Sequence, residues 1–575
     1  MESPLQAQND GKAAINRAAV PYHWLKTYPA NVDWFQQFTP EPLPSLLANA
    51  AARFGARPAT SFFGQTMTYA ELADQVNRTA KGLQALGVGK GTRAGLLFPN
   101  CPAYVIYYYA ILMAGGTVVN FNPLYSIPEL THQAKDAEAD IMVTLDLKAT
   151  FPKAKALLDT GVLKHLVVVP FASMLPGVKS VLFRIFKRAE ASSWHTGAGI
   201  VSSIELQHND GRFDAPAIEP ADVAVLQYTG GTTGTPKGAM LTHANLSINV
   251  QQCHAWFGDL ALKGEERFFC CIPFFHVLAM TGLMNFAISI GGQMIMVPRF
   301  ELKQALKLFD ETKPTIMAGV PTLFNALAKA PDIKKRDLSH FKFCISGGAP
   351  LPLEVKREFE RMSGCALVEG YGLSETSPVT HINPPAGLVK EGSIGLPVPG
   401  TIMSLRDLGD PTKEVPLGEK GEICIAGPQV MKGYWRKPAE TAATFVGEFF
   451  RTGDVAYMDS DGFTFIVDRI KDLILCSGFN VYPRRIEEAI YEHPAVEEVT
   501  VIGVPDPYRG EAPKAFVKLR MDHHATAEEI MEFLKPRISK IELPAKIEFR
   551  EELPKTLIGK LSKKELKAED ESQRG

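Results

Sequence analysis

Several features that would commit a chain to a membrane, an oxidising compartment or a nucleic acid are missing. No apolar run approaches the roughly 18 residues of a spanning helix. The eight cysteines are scattered over 575 residues with no Cys-x-x-Cys pair, and Cys270 and Cys271 are adjacent. Neither a disulfide framework nor a zinc site is expected, and a reducing cytoplasm fits this usage. The opening "MESPLQAQNDGKAA" lacks the apolar core of a secretory signal. Lys plus Arg total 61 against 63 Asp plus Glu, a net charge of −2, which argues against a general nucleic-acid binder.

What is present is a globular composition, 46% apolar and 22% charged, on a chain too long for a single core. "LANAAARFG" reads as a helix closing on Gly55. "TYAELADQVNRTAKGLQALGV" reads as a helix capped by Thr68 and ending at Gly87. The strand-like "RAGLLFP", a helix over about Cys101 to Ala114 and the strand-like "GTVVNFNP" follow. This alternation predicts an α/β fold with largely parallel sheets. "YMDSDGFTFIVDRIKDLI" predicts a hairpin turning at Asp461 and Gly462. The last hundred or so residues carry their own α+β pattern after a charged cluster of Asp468, Arg469, Lys471 and Asp472. The expected organisation is a large domain over 1–467, a hinge over 468–473 and a small domain over 474–575. No internal repeat is evident.

"FASMLPGVKSVLFRIFKR", residues 171–188, holds four basic residues and no acid. On a helical wheel Val178, Val181, Leu182, Ile185 and Phe186 share one side, with Arg184 and Lys187 roughly opposite. A basic amphipathic helix lying on an anionic membrane is one reading, and a surface helix packed on the core is the other.

"QYTGGTTGTPKGAMLTH", Gln227 to His243, follows the strand-like "DVAVLQY" and precedes a helical run. Strand, glycine-rich turn and helix would cup an anion with backbone N–H groups, aided by threonine hydroxyls and Lys237. It is not a Walker A loop, because Lys237 is followed by Gly238 rather than Ser or Thr.

"YTGGTTGTPKG" resembles the phosphate loop of the adenylate-forming superfamily of acyl-CoA synthetases, luciferases and peptide-synthetase adenylation domains. "GYGLSETSP" (370–378), "FRTGD" (450–454), "DRIKDLILCSGFNVYP" (468–483) and "PKTLIGKLSKKEL" (554–566) resemble its other signatures, in family order. The resemblance spans nearly the whole chain. "YPANVDW", "SGFNVYP" and the basic insert are most similar to the bacterial long-chain fatty-acid–CoA ligases.

The resemblance implies a large domain of stacked α/β sheets, a small α+β domain on a hinge, and ATP, Mg²⁺ and CoA as cofactor and co-substrates. Tyr228, Thr229, Gly230, Gly231, Thr232, Thr233, Gly234 and Lys237 would hold the β- and γ-phosphates. Thr229 and Glu375 would meet the metal. Tyr371, between Gly370 and Gly372, would stack on adenine, with Gly347, Gly348 and Ala349 beside it. Asp454 would accept from the ribose hydroxyls, and Arg469 would reach ribose or phosphate. Lys560 would neutralise charge during adenylation. Asp468 would be the hinge residue, and rotation there would bring the strand near Gly478 toward the CoA thiol. His276 would face the acyl carboxylate, with Val277 and Met280 in the acyl pocket. Taken alone, Lys560 would read as solvated surface, His276 as a core histidine and Glu375 as an acid at a helix start.

The chain departs from the pattern in two places. Ser477 stands where some relatives carry lysine, and Met280 where some long-chain enzymes have a gating tryptophan. The expected reaction is ATP-dependent activation of a long-chain fatty acid, pyrophosphate release and transfer to CoA. A medium-chain or aryl-acid ligase, a carrier-protein ligase and a non-catalytic lipid or nucleotide sensor are the alternatives. A peripheral position on the inner face of the membrane and a homodimer stay open.

Overall fold

The computed structural model describes residues 22–229, 236–331, 333–556 and 559–574. The predicted helices form where local chemistry asks for them. Tyr69–Ala85 starts with a capping box in which Thr68 and Glu71 satisfy each other's N–H groups. The predicted turn joins antiparallel Phe449–Met458 and Thr464–Arg469, with Gly462 at φ +85°.

Two large sheets dominate. One runs Leu396–Pro397, Val379–Ile382, Ala366–Gly372, Phe343–Gly347, Ile316–Gly319, Arg267–Cys270, Gln293–Met296, Pro58–Phe62, Gln65–Thr68. Its middle is parallel and both edges are antiparallel. The other runs Ile200–Ser202, His165–Val169, Ile141–Leu145, Arg93–Leu97, Thr117–Asn120, Val223–Thr229, Lys237–Thr242. The helix Pro102–Met113 is buried on nearly every side, which is why it shows no polar face. Its Tyr104 hydroxyl donates to Asn120 of one sheet and to the Phe274 carbonyl, just beyond a strand of the other. The layered core expected from the α/β pattern is therefore present. A third, smaller antiparallel sheet contains Ile402–Arg406, Gly421–Ala426 and Phe449–Met458, with Thr464–Arg469 at its side.

Residues beyond this third sheet form a separate unit. Ile474–Cys476, Phe479–Val481, Val496–Asp506, Gly510–Leu519 and Lys546–Phe549 pair among themselves. Their apolar core, built around Ile486, Val501 and Ile530, is distinct from the main one.

Two expectations need correction. The phosphate loop does not lead directly into a helix: Thr229 pairs with Lys237 and Tyr228 with Gly238 in an antiparallel hairpin. "KGAMLT" forms an edge strand beside Val223–Thr229, while the helix begins at His243, where "HANLSINVQQCHAWF" reads as a helix start, and is capped by Thr242. The amphipathic helix is also shorter than its sequence pattern. It covers Gly177–Phe186, because Pro176 interrupts it after a single turn at Phe171–Met174.

Candidate active site

The expected nucleotide residues converge at the ends of strands from the nine-stranded and third sheets. Tyr371 lies on Ala366–Gly372, and its hydroxyl donates to Asp454 Oδ2 at 2.6 Å. Asp454 and Arg469 are register partners on adjacent strands, and Arg469 Nε lies 3.0 Å from Asp454 Oδ1. Asp454 is thus buried, accepts from Tyr371 and is ion-paired with Arg469, and an ionised carboxylate retains lone pairs for a further diol. Burial and the Asp454 charge raise the Tyr371 phenol well above its ordinary value, so it stays a donor.

Gly347 and Gly348 end and follow the neighbouring strand Phe343–Gly347. Gly348 has φ +80°, and a Cβ there would sit 3.1 Å from Lys560 Cε. Lys560 comes from the far end of the chain and enters this cleft from the C-terminal unit. Its loop is held by the Thr322 hydroxyl, which donates to the Gly559 carbonyl at 2.9 Å. Gly559, at φ +82°, would place a Cβ 2.8 Å from that hydroxyl oxygen. Burial, then the Arg469 charge, lowers the Lys560 ammonium to about 8 against a pull upward from Asp454. Lys471 is also lowered to about 8, by burial and Arg469.

Glu375 follows on a short turn, Ser374–Thr376, and is buried. The Tyr434 hydroxyl donates to its Oε1 at 2.8 Å. Burial raises its carboxyl. Among the described residues no group of three or more His, Cys, Asp or Glu could hold a metal by itself. One buried hard-oxygen donor, short of positive charge, fits an ion that takes its other ligands from phosphates and water, as Mg²⁺ does.

Lys237 lies 5.2 Å from the Tyr434 ring centre and 3.8 Å from Glu440 Oε2. One tyrosine therefore touches both the expected phosphate lysine and the expected metal ligand. Thr229 ends its strand at the start of the loop; Gly230, Gly231, Thr232, Thr233 and Gly234 lie outside the described residues. The Tyr228 hydroxyl turns the other way and donates to Asp136 Oδ2 at 2.6 Å.

His276 caps the short helix Val277–Ala279, its Nδ1 accepting from Leu278 N. Burial and the Lys560 charge lower the imidazole to about 3. It is therefore neutral near pH 7, with Nε2 carrying the proton. Val277 and Met280 sit in the main core, and Met280 Sδ accepts from Asn120 Nδ2 at 3.3 Å. Met280 opens a π-helical stretch, Met280–Asn285. Asp468 is buried at the end of its strand, and its carboxylate accepts from Arg469 N and Arg484 N, each at 2.8 Å. Burial raises its carboxyl to about 6. Gly370 and Gly372 flank Tyr371 on the strand; a Cβ on Gly372 would fall 1.8 Å from the Pro378 carbonyl oxygen.

The AMP-binding enzyme family matches residues 47–435, and the AMP-binding enzyme C-terminal domain matches 485–560. The chain belongs to the AMP-binding enzymes. Among curated members it is 42% identical over 555 residues to the long-chain-fatty-acid–CoA ligase of Bacillus subtilis (strain 168), covering 95% of this chain and 98% of that one. It is 35% identical over 513 residues to the feruloyl-CoA synthase of an Amycolatopsis species, covering 88% and 94%. Among solved structures, ATP-bound MatB from Rhodopseudomonas palustris superposes with a TM-score of 0.81 at 28% identity, covering 92% of this chain and all of that one. The apo form of the same protein gives 0.72. In this AMP-binding enzyme, sequence reasoning missed Tyr434, Thr322 and Glu440. None lies in a signature string, and "MKGYW" around Tyr434 carried no signal that marked it; Lys471 enters the sequence reading only as part of the charged cluster at 468–472.

Proposed function

We propose that this AMP-binding enzyme is a long-chain fatty-acid–CoA ligase, forming an acyl-adenylate from fatty acid and ATP and then an acyl-CoA. The observation that carries the chemistry is Lys560, brought from the C-terminal unit into the cleft that holds Tyr371, Asp454 and Arg469. A cation added there beside Arg469 supports a site where a carboxylate and a triphosphate meet. Two such anions about 4 Å apart repel by roughly 4 kcal/mol at an effective dielectric near 20.

In the first step a carboxylate oxygen bonds to the α-phosphorus and the bond to the pyrophosphate oxygen breaks. Lys560 and Arg469 offset charge on the acid and α-phosphate. The loop from Thr229 to Lys237 holds the leaving pyrophosphate. Glu375, with Thr229, would hold Mg²⁺, which supplies charge neutralisation to the phosphates when bound. Tyr371 faces adenine, and Asp454 accepts from the ribose. The neutral His276 offers Nε2–H to the acyl oxygen, which orients the acid without adding another charge. In the second step the CoA thiol gives its proton to solvent, the thiolate sulfur bonds to the carbonyl carbon, and the bond from that carbon to the phosphate oxygen breaks to release AMP. A thiolate is already a capable nucleophile, so no protein base is needed at carbon.

The separate C-terminal core supports a division into 1–467, a hinge at 468–473 with Asp468 at its start, and 474–575. The long chain rests on the relatives' named activity. Each buried methylene contributes about 0.8 kcal/mol, so any sufficiently deep apolar tunnel would favour length. The likeness to a feruloyl-CoA synthase supports a second reading, an aryl acid. The test is AMP release dependent on ATP and CoA across saturated acids and ferulate. Palmitate should have the higher kcat/KM, and a clear preference for octanoate or ferulate would overturn the substrate.

Membrane contact is part of this reading. Val178, Val181, Leu182, Ile185 and Phe186 are 46–75% exposed on Gly177–Phe186, while Phe183 turns inward onto Phe171. Lys179 and Arg188 border that apolar face on the helical wheel, with Arg184 and Lys187 roughly opposite; Lys179 also donates to the Phe63 carbonyl and Lys187 pairs with Glu190. An exposed apolar face on a basic helix suits an anionic bilayer as the source of substrate. No helix among the described residues is long and apolar enough to cross a membrane.

A further inference from the structure

Tyr434 stands outside every signature string, yet it joins the parts of the cleft that would meet a metal and a triphosphate. It is buried, and its phenol donates to Oε1 of the buried Glu375 at 2.8 Å. Its ring faces Lys237, whose Nζ lies 5.2 Å from the ring centre. The backbone repeats both connections. Met431 N–H donates to the Glu375 carbonyl at 2.7 Å. Lys432 N–H donates to the Met240 carbonyl, Met240 N–H to the Gly433 carbonyl and Trp435 N–H to the Gly238 carbonyl. Residues 432–435 thus form a strap along 238–240, on the strand that leaves the phosphate loop at Lys237. Behind the strap, Tyr434 N–H donates to the Thr441 hydroxyl at 2.9 Å, and a Cβ on Gly433 would fall 2.7 Å from Thr441 Cγ2. Tyr434 is therefore fixed at its backbone as well as at its tip.

A phenol suits this place chemically. It donates to one oxygen of a carboxylate and brings no positive charge. A lysine or arginine there would also hold Glu375, but would offset the negative charge that a divalent cation uses. The aromatic face attracts an ammonium without neutralising it, so Lys237 is aligned and keeps its charge for phosphate. Glu440 Oε2, 3.8 Å from Lys237 Nζ, is the anion that a triphosphate would displace.

We propose that Tyr434 is a positioning residue of the metal–triphosphate site: its hydroxyl fixes Glu375 for the divalent cation, and its ring aligns Lys237 for the phosphates. This rests on the ligase reading above, in which Glu375 and Lys237 meet those partners. The hydroxyl and the ring have separable duties. Loss of the hydroxyl weakens the hold on metal, and loss of the ring weakens the hold on nucleotide even without metal. Neither reaches CoA transfer from a preformed adenylate, which carries no pyrophosphate.

The experiment measures ATP binding to the full-length enzyme by calorimetry, without fatty acid, in excess Mg²⁺ and again in EDTA. The gain in affinity from Mg²⁺ reports the protein's contact with the metal. In Tyr434→Phe that gain should fall about tenfold, the effect of losing a hydrogen bond to a charged group, while binding in EDTA stays close to wild type. In Tyr434→Leu binding in EDTA should weaken as well. The double variant E375Q/Y434F should show no smaller a gain than E375Q, because the two side chains act as one unit. Fatty-acid-dependent ATP–pyrophosphate exchange by Y434F should need more Mg²⁺, and CoA transfer from synthetic palmitoyl-adenylate should keep close to the wild-type rate. Melting temperatures check that each variant is folded. A wild-type gain retained in Y434F, or equal weakening of ATP with and without Mg²⁺, would overturn the proposal, since the tyrosine would then serve packing alone. Wild-type enzyme that binds ATP with Mg²⁺ but exchanges pyrophosphate with no acid would instead remove the ligase reading, and leave Tyr434 standing on the binding data.

Discussion

Lys560→Arg separates the role of the lysine's position from the role of its proton. Burial and Arg469 lower the Lys560 ammonium from 10.5 to about 8. In free enzyme the lysine is then roughly nine-tenths charged at pH 7 and one-tenth charged at pH 9. If its positive charge is what adenylation uses, kcat/KM for pyrophosphate exchange should fall about tenfold across that interval, because this parameter reports pKa values of the free enzyme. A bound triphosphate stabilises the ammonium, so the same limb in kcat should move to higher pH. Arginine stays charged throughout, although its planar fork is a poor copy of a lysine tip. K560R should therefore be slower at every pH but lose the alkaline fall. Lys471 is the necessary control, since it too is lowered to about 8 beside Arg469. The reasoning is refuted if K560R keeps the limb while Lys471→Arg abolishes it.

Two further outcomes test the geometry around that lysine and the exposed helix. Gly559→Ala puts a methyl against Thr322 and strains a φ of +82°, a conformation costing about 1–2 kcal/mol outside glycine. Exchange should fall at least tenfold while CoA transfer from preformed adenylate persists; loss of both to the same degree would mean the loop serves stability alone. Replacing Val181 and Ile185 together by Glu should reduce co-sedimentation with phosphatidylglycerol vesicles by more than about tenfold, since each buried aliphatic side chain contributes about 1.5–3 kcal/mol. Unchanged sedimentation would remove the helix from membrane binding.

Short-range chemistry was readable in the sequence. Thr68 and Glu71 are three residues apart, so their capping box is a local fact, and the turn at Asp461 and Gly462 needs only a glycine at positive φ between two extended runs. The signature strings named Tyr371, Glu375, Asp454, Arg469 and Lys560, and the structure brings Tyr371, Asp454, Arg469 and Lys560 to one cleft. The phosphate loop was misread for a physical reason. "KGAMLT" has no strong preference that excludes a turn into the next helix, and only pairing with Val223–Thr229 makes it a strand.

The contacts that tune the site depend on chain segments far apart in sequence. Tyr434 meets Glu375 across 59 residues, and Thr322 meets Gly559 across 237. Burial likewise belongs to the assembled fold. The lowered ammonium of Lys560 does not exist until two units of the chain exclude water from the same place. The sequence by itself determined which chemical groups this enzyme owns and where its local elements start and stop. The tertiary structure alone decided which groups meet, because desolvation and charge pairing act through space and not along the chain.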